Sequence, residues 1–263
     1  MPSPFRIAIN GATGRMGKSL LALVRDDERF DLRAAISSSR HAGEAVFASE
    51  SSLVFSDGWP VDRLFDVVID FSGPAGLGAA LDYCEHHGVP LVTGTTGIDT
   101  KLAARLSTAS IAVLHATNFS LGVAVLTRLL RQASAALREW DLEIVEAHHN
   151  RKEDAPSGTA LSLGEAAAQA RGGSLADDAV FTREGRTGPR KSGTIGFAVV
   201  RGGDIVGEHT AMLIGQGERV ELGHRATDRS IFARGAIEAA HWLAGKTPGQ
   251  YSLDAMLAER SGG

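Results

Sequence analysis

The chain is 263 residues long, 43% hydrophobic and 22% charged, with a formal net charge of −4. That is enough chain to bury a substantial core, as one large domain or two modest ones, and the balance is ordinary for a soluble globular protein. The negative balance excludes an overall attraction to nucleic acid or to an anionic membrane, although 27 Lys and Arg residues leave ample material for a local basic pocket.

Met1 to Asn10 has neither the basic start nor the long apolar core of a signal peptide, and no run approaches membrane-spanning length. A cytoplasmic location is therefore expected. Phe5–Asn10 predicts a first strand, which runs directly into Gly11-Ala-Thr-Gly14-Arg-Met-Gly17 and a helix striped by Met16, Leu20, Leu21 and Val24. Glycines between a strand and a helix permit a tight turn and let the backbone approach a pyrophosphate, which the helix N-terminus then faces. The spacing is G-x-x-G-x-x-G, with Thr13 where the stricter pattern has its second glycine. In this strand–turn–helix context it reads as a dinucleotide loop.

Residues 32–37 predict a second strand, ending in Ser37-Ser38-Ser39-Arg40. No acidic group is there to bond a ribose 2′-hydroxyl, whereas serine hydroxyls and Arg40 would tolerate or favour a 2′-phosphate. NADPH is therefore expected to be used at least as well as NADH. Near-continuous apolar runs at 66–72, 90–95 and 111–117, with a weaker one at 53–55, predict further strands covered by helices on both faces. Leu77, Leu81 and Cys84 mark one intervening helix, and Leu102, Leu106 and Ala109 another. The alternation argues for right-handed βαβ units and a parallel sheet. Cys84 is the single cysteine, so an intrachain disulfide is excluded; it reads as a small buried apolar residue in a reducing compartment. Gly94-Thr95-Thr96-Gly97 and Ala116-Thr117-Asn118-Phe119 each follow the carboxyl end of a predicted strand. Ligands of open α/β sheets bind at that edge, which makes both stretches candidates to line a nicotinamide.

After residue 120 the pattern changes. Residues 121–137 predict one long helix, and Leu142, Ile144 and Val145 lead a strand into Glu146-Ala-His-His-Asn-Arg-Lys-Glu-Asp-Ala-Pro-Ser-Gly-Thr159. Two histidines, an arginine and a lysine thus sit on a strand-to-helix connection, where loops carry chemistry on a rigid scaffold. Pro156-Ser157-Gly158-Thr159 supplies a helix start whose free N–H groups could hold an anion. Proton donors beside an anion seat point to a small acidic substrate. Adjacent strand side chains face opposite ways, so at most one of His148 and His149 is expected to meet the reacting atom directly. No Cys or carboxylate cluster at ligand spacing accompanies the pair, and no metal is expected. A helix over 160–170 follows, then a polar Gly-rich loop over 171–192. Runs at 194–201, 205–215 and 218–226 come next, separated by the hairpin signals Gly202-Gly203-Asp204 and Gln216-Gly217. With 142–149 they predict a mixed, mainly antiparallel four-stranded sheet faced by helices. Ile231, Ala236, Ile237, Ala240 and Leu243 mark a last helix that could pack back on the first domain.

Taken together, Glu146–Lys152 and Asp154–Thr159 strongly resemble the signature of the dihydrodipicolinate reductase family, now called 4-hydroxy-tetrahydrodipicolinate reductases, of the diaminopimelate route to lysine. The resemblance spans nearly the whole chain and includes Gly11–Gly17, Ile69-Asp70-Phe71, Gly94–Gly97, Asn118-Phe119-Ser120, Gly193–Phe197 and Gly207–Thr210. It implies an α/β fold with a Rossmann-type domain over residues 1–120 and 230–263, and an α+β substrate-binding and oligomerisation domain over 121–229, with a hinge between them. It implies an oxidoreductase that moves a hydride from NADPH or NADH to a cyclic unsaturated dicarboxylate, and that forms a homo-oligomer, a tetramer. His148 would be the proton donor/acceptor and Lys152 the second donor, while His149, Gly158 and Thr159 would bind the substrate carboxylates. Gly11, Ala12, Thr13, Gly14, Arg15 and Met16, Gly94, Thr95 and Thr96, and Ala116, Thr117, Asn118 and Phe119 would contact the nucleotide. Some members carry Glu-Arg after the second strand where this chain has Ser37-Ser38, and some an arginine after the Asp-Phe pair where it has Ser72-Gly73.

The chemistry agrees with this reading. A hydride adds negative charge to a conjugated C=C–C=N system, so a nearby donor must protonate it, and histidine and lysine can be poised near neutrality for that. Two rivals remain: another two-domain dehydrogenase of a dicarboxylic amino acid or imine, and a redox-sensing protein that holds NAD(P)H without turnover and needs no His/Lys donor set.

Overall fold

Ile7, Ala8 and Ile9 have no solvent exposure, which places β1 (Phe5–Asn10) in the centre of a sheet rather than at its edge. In chain order there follow α1 (Arg15–Val24), β2 (Phe30–Ile36), β3 (Ala45–Phe47), β4 (Glu50–Ser56), β5 (Val67–Asp70), α2 (Pro74–His87), β6 (Leu91–Thr93), α3 (Thr100–Thr108) and β7 (Ala112–His115). Then come α4 (Leu121–Ala136), β8 (Asp141–His148), α5 (Gly158–Arg171), α6 (Leu175–Asp178), β9 (Ala179–Val180), β10 (Ile195–Arg201), β11 (Gly207–Ile214) and β12 (Arg219–Ala226). The chain ends with α7 (Ser230–Leu243), β13 (Gly249–Tyr251) and α8 (Leu253–Arg260). This computed structural model describes residues 3–48 and 50–262, and it divides into two units, residues 1–121 with 230–263 and residues 122–229.

The first unit is a sheet in the order β13-β7-β6-β5-β1-β2-β4-β3, parallel throughout except for the antiparallel β3–β4 pair. Its apolar strands are covered by helices, and Leu77, Leu81 and Cys84 of α2 pack with Val68, Leu91 and Leu106 in one core. Each such fully buried leucine contributes about 1.5–3 kcal/mol. Burial pushes the Cys84 thiol well above its usual range, so it is a packing residue and not a ready nucleophile. Helix α7 packs on α1 and on β5, β6 and β7. Gly235 permits that approach, because any Cβ there would run into the Phe119 carbonyl.

The second unit is a sheet in the order β12-β11-β8-β10-β9. Along β8 every second residue is buried, and Leu142 and Ile144 pack with Ile195 and Phe197 of β10, Ala211 and Leu213 of β11, and Ala160, Leu163 and Ala167 of α5. Glu146 and His148 continue that buried row, so the register that builds the core also delivers two polar groups to its end.

The sheet is mixed, as expected, but it has five strands instead of four, and its pairings divide evenly. β8–β11 and β11–β12 are antiparallel, while β8–β10 and β9–β10 are parallel. Gln216-Gly217 does close the β11–β12 hairpin. Gly202-Gly203-Asp204 does not close one between β10 and β11, because β8 lies between them. The glycine turn instead bonds to the end of β8, with Gly202 N–H donating to the His148 carbonyl (3.0 Å) and Asn150 N–H to the Gly203 carbonyl (3.2 Å). A local turn signal gives the direction change but not the partner strand.

Candidate active site

In the second unit the polar end of β8 is organised by Glu146, whose side chain is 1% exposed. Its Oε2 accepts from His148 Nδ1 (2.6 Å) and Arg201 Nη1 (2.7 Å), and its Oε1 accepts from Arg201 Nη2 (2.9 Å) and the Ser157 N–H (2.9 Å). Burial alone would raise the Glu146 pKa, but the bonds from Arg201, His148 and Ser157 outweigh it and bring the carboxyl down to about 2. An ionised acceptor at Nδ1 requires a proton there, so the neutral ring of His148 carries its lone pair on Nε2. Gly207, the first residue of β11, leaves room on that side, since a Cβ would lie 3.0 Å from Nε2.

Ser157 caps α5, accepting from Ala160 N–H through Oγ (3.2 Å), and the same oxygen meets His209 Nε2 at 3.0 Å. His209 stands edge-on to His148, ring centres 5.2 Å apart. Burial, with His148 adjacent, pushes the His209 pKa down to about 4, so it is neutral at pH 7. His149 lies past the end of β8, its Nδ1 enclosed and unbonded among the described residues, and its pKa is lowered by desolvation and then by Arg151 and Arg229. The His149 carbonyl accepts from Lys152 N–H (3.1 Å), a turn that brings the lysine back. Lys152 Nζ reaches both Asp154 oxygens at 2.7 and 2.8 Å, and Asp154 is 62% exposed. Such a solvent-facing pair is worth at most about 1 kcal/mol, so a substrate carboxylate can take the ammonium over. Gly158, first residue of α5, faces open space. The five residues named from the sequence thus occupy one strand end, the turn that follows it and one helix start. Ser157 was read only as part of that helix start, and Arg201 and His209 were given no role, because nothing near them in sequence announces a bond to Glu146 or Ser157.

In the first unit the carboxyl edge of the parallel sheet carries the other candidates. Gly11 has a φ of +76°, and a Cβ there would lie 2.5 Å from the Phe71 carbonyl oxygen, so the loop admits only glycine. Gly17 abuts the Gly11 carbonyl, and Gly94 abuts the Phe71 ring, positions that a Cβ would fill. Gly14 caps α1 with no side chain over the helix N-terminus, while Arg15 and Met16 form its first turn and Ala12 is fully buried. Gly11, Thr13, Gly14, Ser37 and Ser38 line a cavity of about 430 Å³, with Asn10, Ile36, Asp57, Trp59, Phe71, Ser72, Gly76 and Ala79. Gly94, Thr95 and Thr96 follow β6, and Ala116, Thr117, Asn118 and Phe119 follow β7, along the same edge but outside that cavity. Arg40 lies on an exposed 3₁₀ turn (Ser39–His41), also outside it.

Beneath these loops Asp70, with no exposure, accepts from Asn10 Nδ2 (2.7 Å), Ser72 Oγ (2.6 Å), Thr93 Oγ1 (2.7 Å) and Thr95 Oγ1 (2.7 Å). One carboxylate thereby ties the ends of β1, β5 and β6. A bare backbone cradle, an open helix N-terminus and a cavity at a sheet's carboxyl edge fit a dinucleotide. Among the described residues no group of three or more His, Cys, Asp and Glu could hold a metal, and no helix is long and apolar enough to cross a membrane.

Residues 5–119 match the family model described as dihydrodipicolinate reductase, N-terminus, and residues 122–257 match the one described as dihydrodipicolinate reductase, C-terminus. The chain belongs to the dihydrodipicolinate reductase family. It is an NAD(P)H-dependent oxidoreductase, a 4-hydroxy-tetrahydrodipicolinate reductase of lysine biosynthesis by the diaminopimelate pathway. Among solved structures it is similar in fold to a dipicolinate-bound dihydrodipicolinate reductase from Paenisporosarcina sp. TG-14, at 21% identity and a TM-score of 0.72, covering 95% of this chain and 97% of that one. It is also similar to a DAP dehydrogenase from C. glutamicum in complex with DAP, at 16% identity and a TM-score of 0.53, over 96% and 94% of the two chains. A third is GenD2 of gentamicin A biosynthesis, in complex with NAD, at 16% identity and a TM-score of 0.56, over 98% and 91%.

Proposed function

We propose that residues 122–229 bind the substrate and that His148 and Lys152 manage its protons. When bound, the reduced nicotinamide supplies the hydride, and the loops at Gly11–Met16, Gly94–Thr96 and Ala116–Phe119 hold that group. His149, the N–H end of α5 at Gly158 and Thr159, and the Lys152 ammonium hold the two substrate carboxylates. His148 delivers or collects a proton at Nε2, and Lys152 serves as second donor. The observation that carries this reading is the ionised Glu146, which fixes the His148 tautomer and leaves Nε2 as the active nitrogen. Glu146 is a positioning residue in this scheme.

The test is steady-state oxidation of NADH or NADPH on freshly generated 4-hydroxy-tetrahydrodipicolinate. His148→Gln and Lys152→Ala should each lower kcat by about two to four orders of magnitude, the usual worth of acid–base catalysis. His149→Ala should act mainly on the substrate KM. Near wild-type turnover in both of the first two variants overturns the assignment. We further propose a cytoplasmic homotetramer assembled through residues 122–229, to be checked by light scattering on purified protein.

A further inference from the structure

The acidic group that the end of β2 lacks is supplied by the neighbouring strand. β2 and β4 run parallel, with Ala35 beside Phe55 and Ile36 beside Ser56, and Ser37 N–H donates to the Ser56 carbonyl at 2.8 Å. One step further along the same register brings Asp57 beside Ser37. Both residues, with Ser38, line the same cavity, and Asp57 is the single charged residue among those lining it. Its carboxylate is exposed and makes no hydrogen bond or ion pair among the described residues, so it has no structural task that would explain it. The segment that carries it is nevertheless held in place. Trp59, in the same cavity wall, stacks on Tyr83 with ring centres 4.9 Å apart. Tyr83 Oη in turn donates to the Asp62 carbonyl (2.9 Å) and accepts from Leu64 N–H (3.2 Å).

We propose that Asp57 is the cofactor-specificity residue of this enzyme, bonding the adenosine ribose hydroxyls and making NADH the preferred cofactor. The proposal rests on the dinucleotide reading of the Gly11 loop. A free carboxylate accepts from vicinal hydroxyls and repels a 2′-phosphate, and no Lys or Arg lines the cavity to offset that repulsion. Arg40, the cation that the sequence offered for a 2′-phosphate, is on the turn beyond Ser38 and outside the lining. Like charge at contact distance in a partly closed pocket is a strong discriminator, whereas two serine hydroxyls are indifferent between the cofactors.

The test is calorimetric measurement of dissociation constants for NADH and NADPH, without substrate, on the wild type and on Asp57→Asn. The wild type should bind NADH at least tenfold more tightly. Asp57→Asn should shrink that ratio by roughly tenfold, with NADPH tightening as the repulsion goes and NADH weakening severalfold as ribose bonds are lost. Circular dichroism should be unchanged, since Asp57 supports no other group. A wild-type ratio below tenfold, or an unchanged ratio in Asp57→Asn, overturns the proposal while leaving the nucleotide site standing. Failure of both cofactors to bind wild type would remove the dinucleotide reading and this proposal with it.

Discussion

Two carboxylates sit fully buried at strand ends, one in each unit, and they are satisfied in opposite ways. Asp70, at the end of β5, is surrounded by neutral donors: a side-chain amide, three hydroxyls and the Ser72 N–H. Glu146, near the end of β8, is met by a guanidinium, an imidazole and a backbone N–H. A buried carboxylate must have its lone pairs filled, and either set fills them. The difference lies in what can change. Hydroxyls and an amide do not titrate near neutrality, so the Asp70 cluster is a fixed clip that joins three loop bases. The Glu146 cluster contains an imidazole, a side chain of a type able to carry a proton in and out, with the Arg201 guanidinium beside it to keep the acceptor ionised. In the proposed scheme one unit needs an invariant cradle and the other a movable proton, and the two buried acids match that division.

The sharpest way to break this contrast is Glu146→Gln. Three donors converge on the carboxylate, so the new NH₂ must face some of them in either amide orientation. Facing Arg201 and His148, it drives the proton from Nδ1 to Nε2 and presents the wrong tautomer; facing Arg201 and Ser157, it orphans a buried N–H. We expect kcat to fall by about two to four orders of magnitude, comparable to a wrong-tautomer defect in an imidazole-based site, with the dissociation constant for NADH unchanged. A variant that keeps its turnover would mean Glu146 is only structural.

Asp70→Asn should move the complementary observables. Its NH₂ must take the place of one oxygen: at Oδ2 it meets the Thr93 and Thr95 hydroxyls, which must turn to accept, and at Oδ1 it meets the Asn10 amide and the Ser72 N–H, which cannot, so the cost to stability is about 1–3 kcal/mol. Because the clip supports the Gly94–Thr96 and Asn10–Gly11 loops, NADH affinity should weaken while the rate with saturating cofactor changes far less. Denaturant midpoints and cofactor titrations measure both. Should Asp70→Asn instead lower kcat with cofactor affinity intact, the division of labour between the two acids fails.

How much of this was legible beforehand follows from the range over which each feature is written. The Gly11 loop, the run from Glu146 to Thr159 and the strand–helix alternation are each encoded in consecutive residues, and consecutive residues were what the reading had. β3, β9 and β13 are two or three residues long, too short for periodicity to show. Arg201 lies 55 residues from Glu146, and His209 lies 52 from Ser157. These partnerships are created by strand order, β8 lying between β10 and β11, and the hairpin inferred between those two strands would have placed them otherwise. Asp57 was hidden for the same reason. It belongs to the end of β4, and only the β2–β4 register puts it beside Ser37.

The smallest effect concerns His209, neutral and buried against the Ser157 cap. In the unfolded chain a histidine takes up a proton near pH 6.5, whereas in the native protein His209 does so only at about 4. Between those values the unfolded state binds more protons, so stability rises with pH through that window and is lost as pH falls through it. From pH 7 to pH 5 the loss assignable to His209 is roughly 1–2 kcal/mol. Glu146 works in a lower window: its carboxyl is depressed to about 2, so its contribution is held above about pH 4.5 and fades only below that. His209→Gln keeps an amide within reach of Ser157 Oγ and cannot titrate. Urea midpoints at pH 7, 6 and 5 should fall less steeply in the variant than in the wild type, although His149 and His224, whose pKa values are also lowered, leave it some slope. Parallel slopes would show that His209 exchanges its proton freely in the folded state, and its enclosure against the Ser157 cap would then have to be given up.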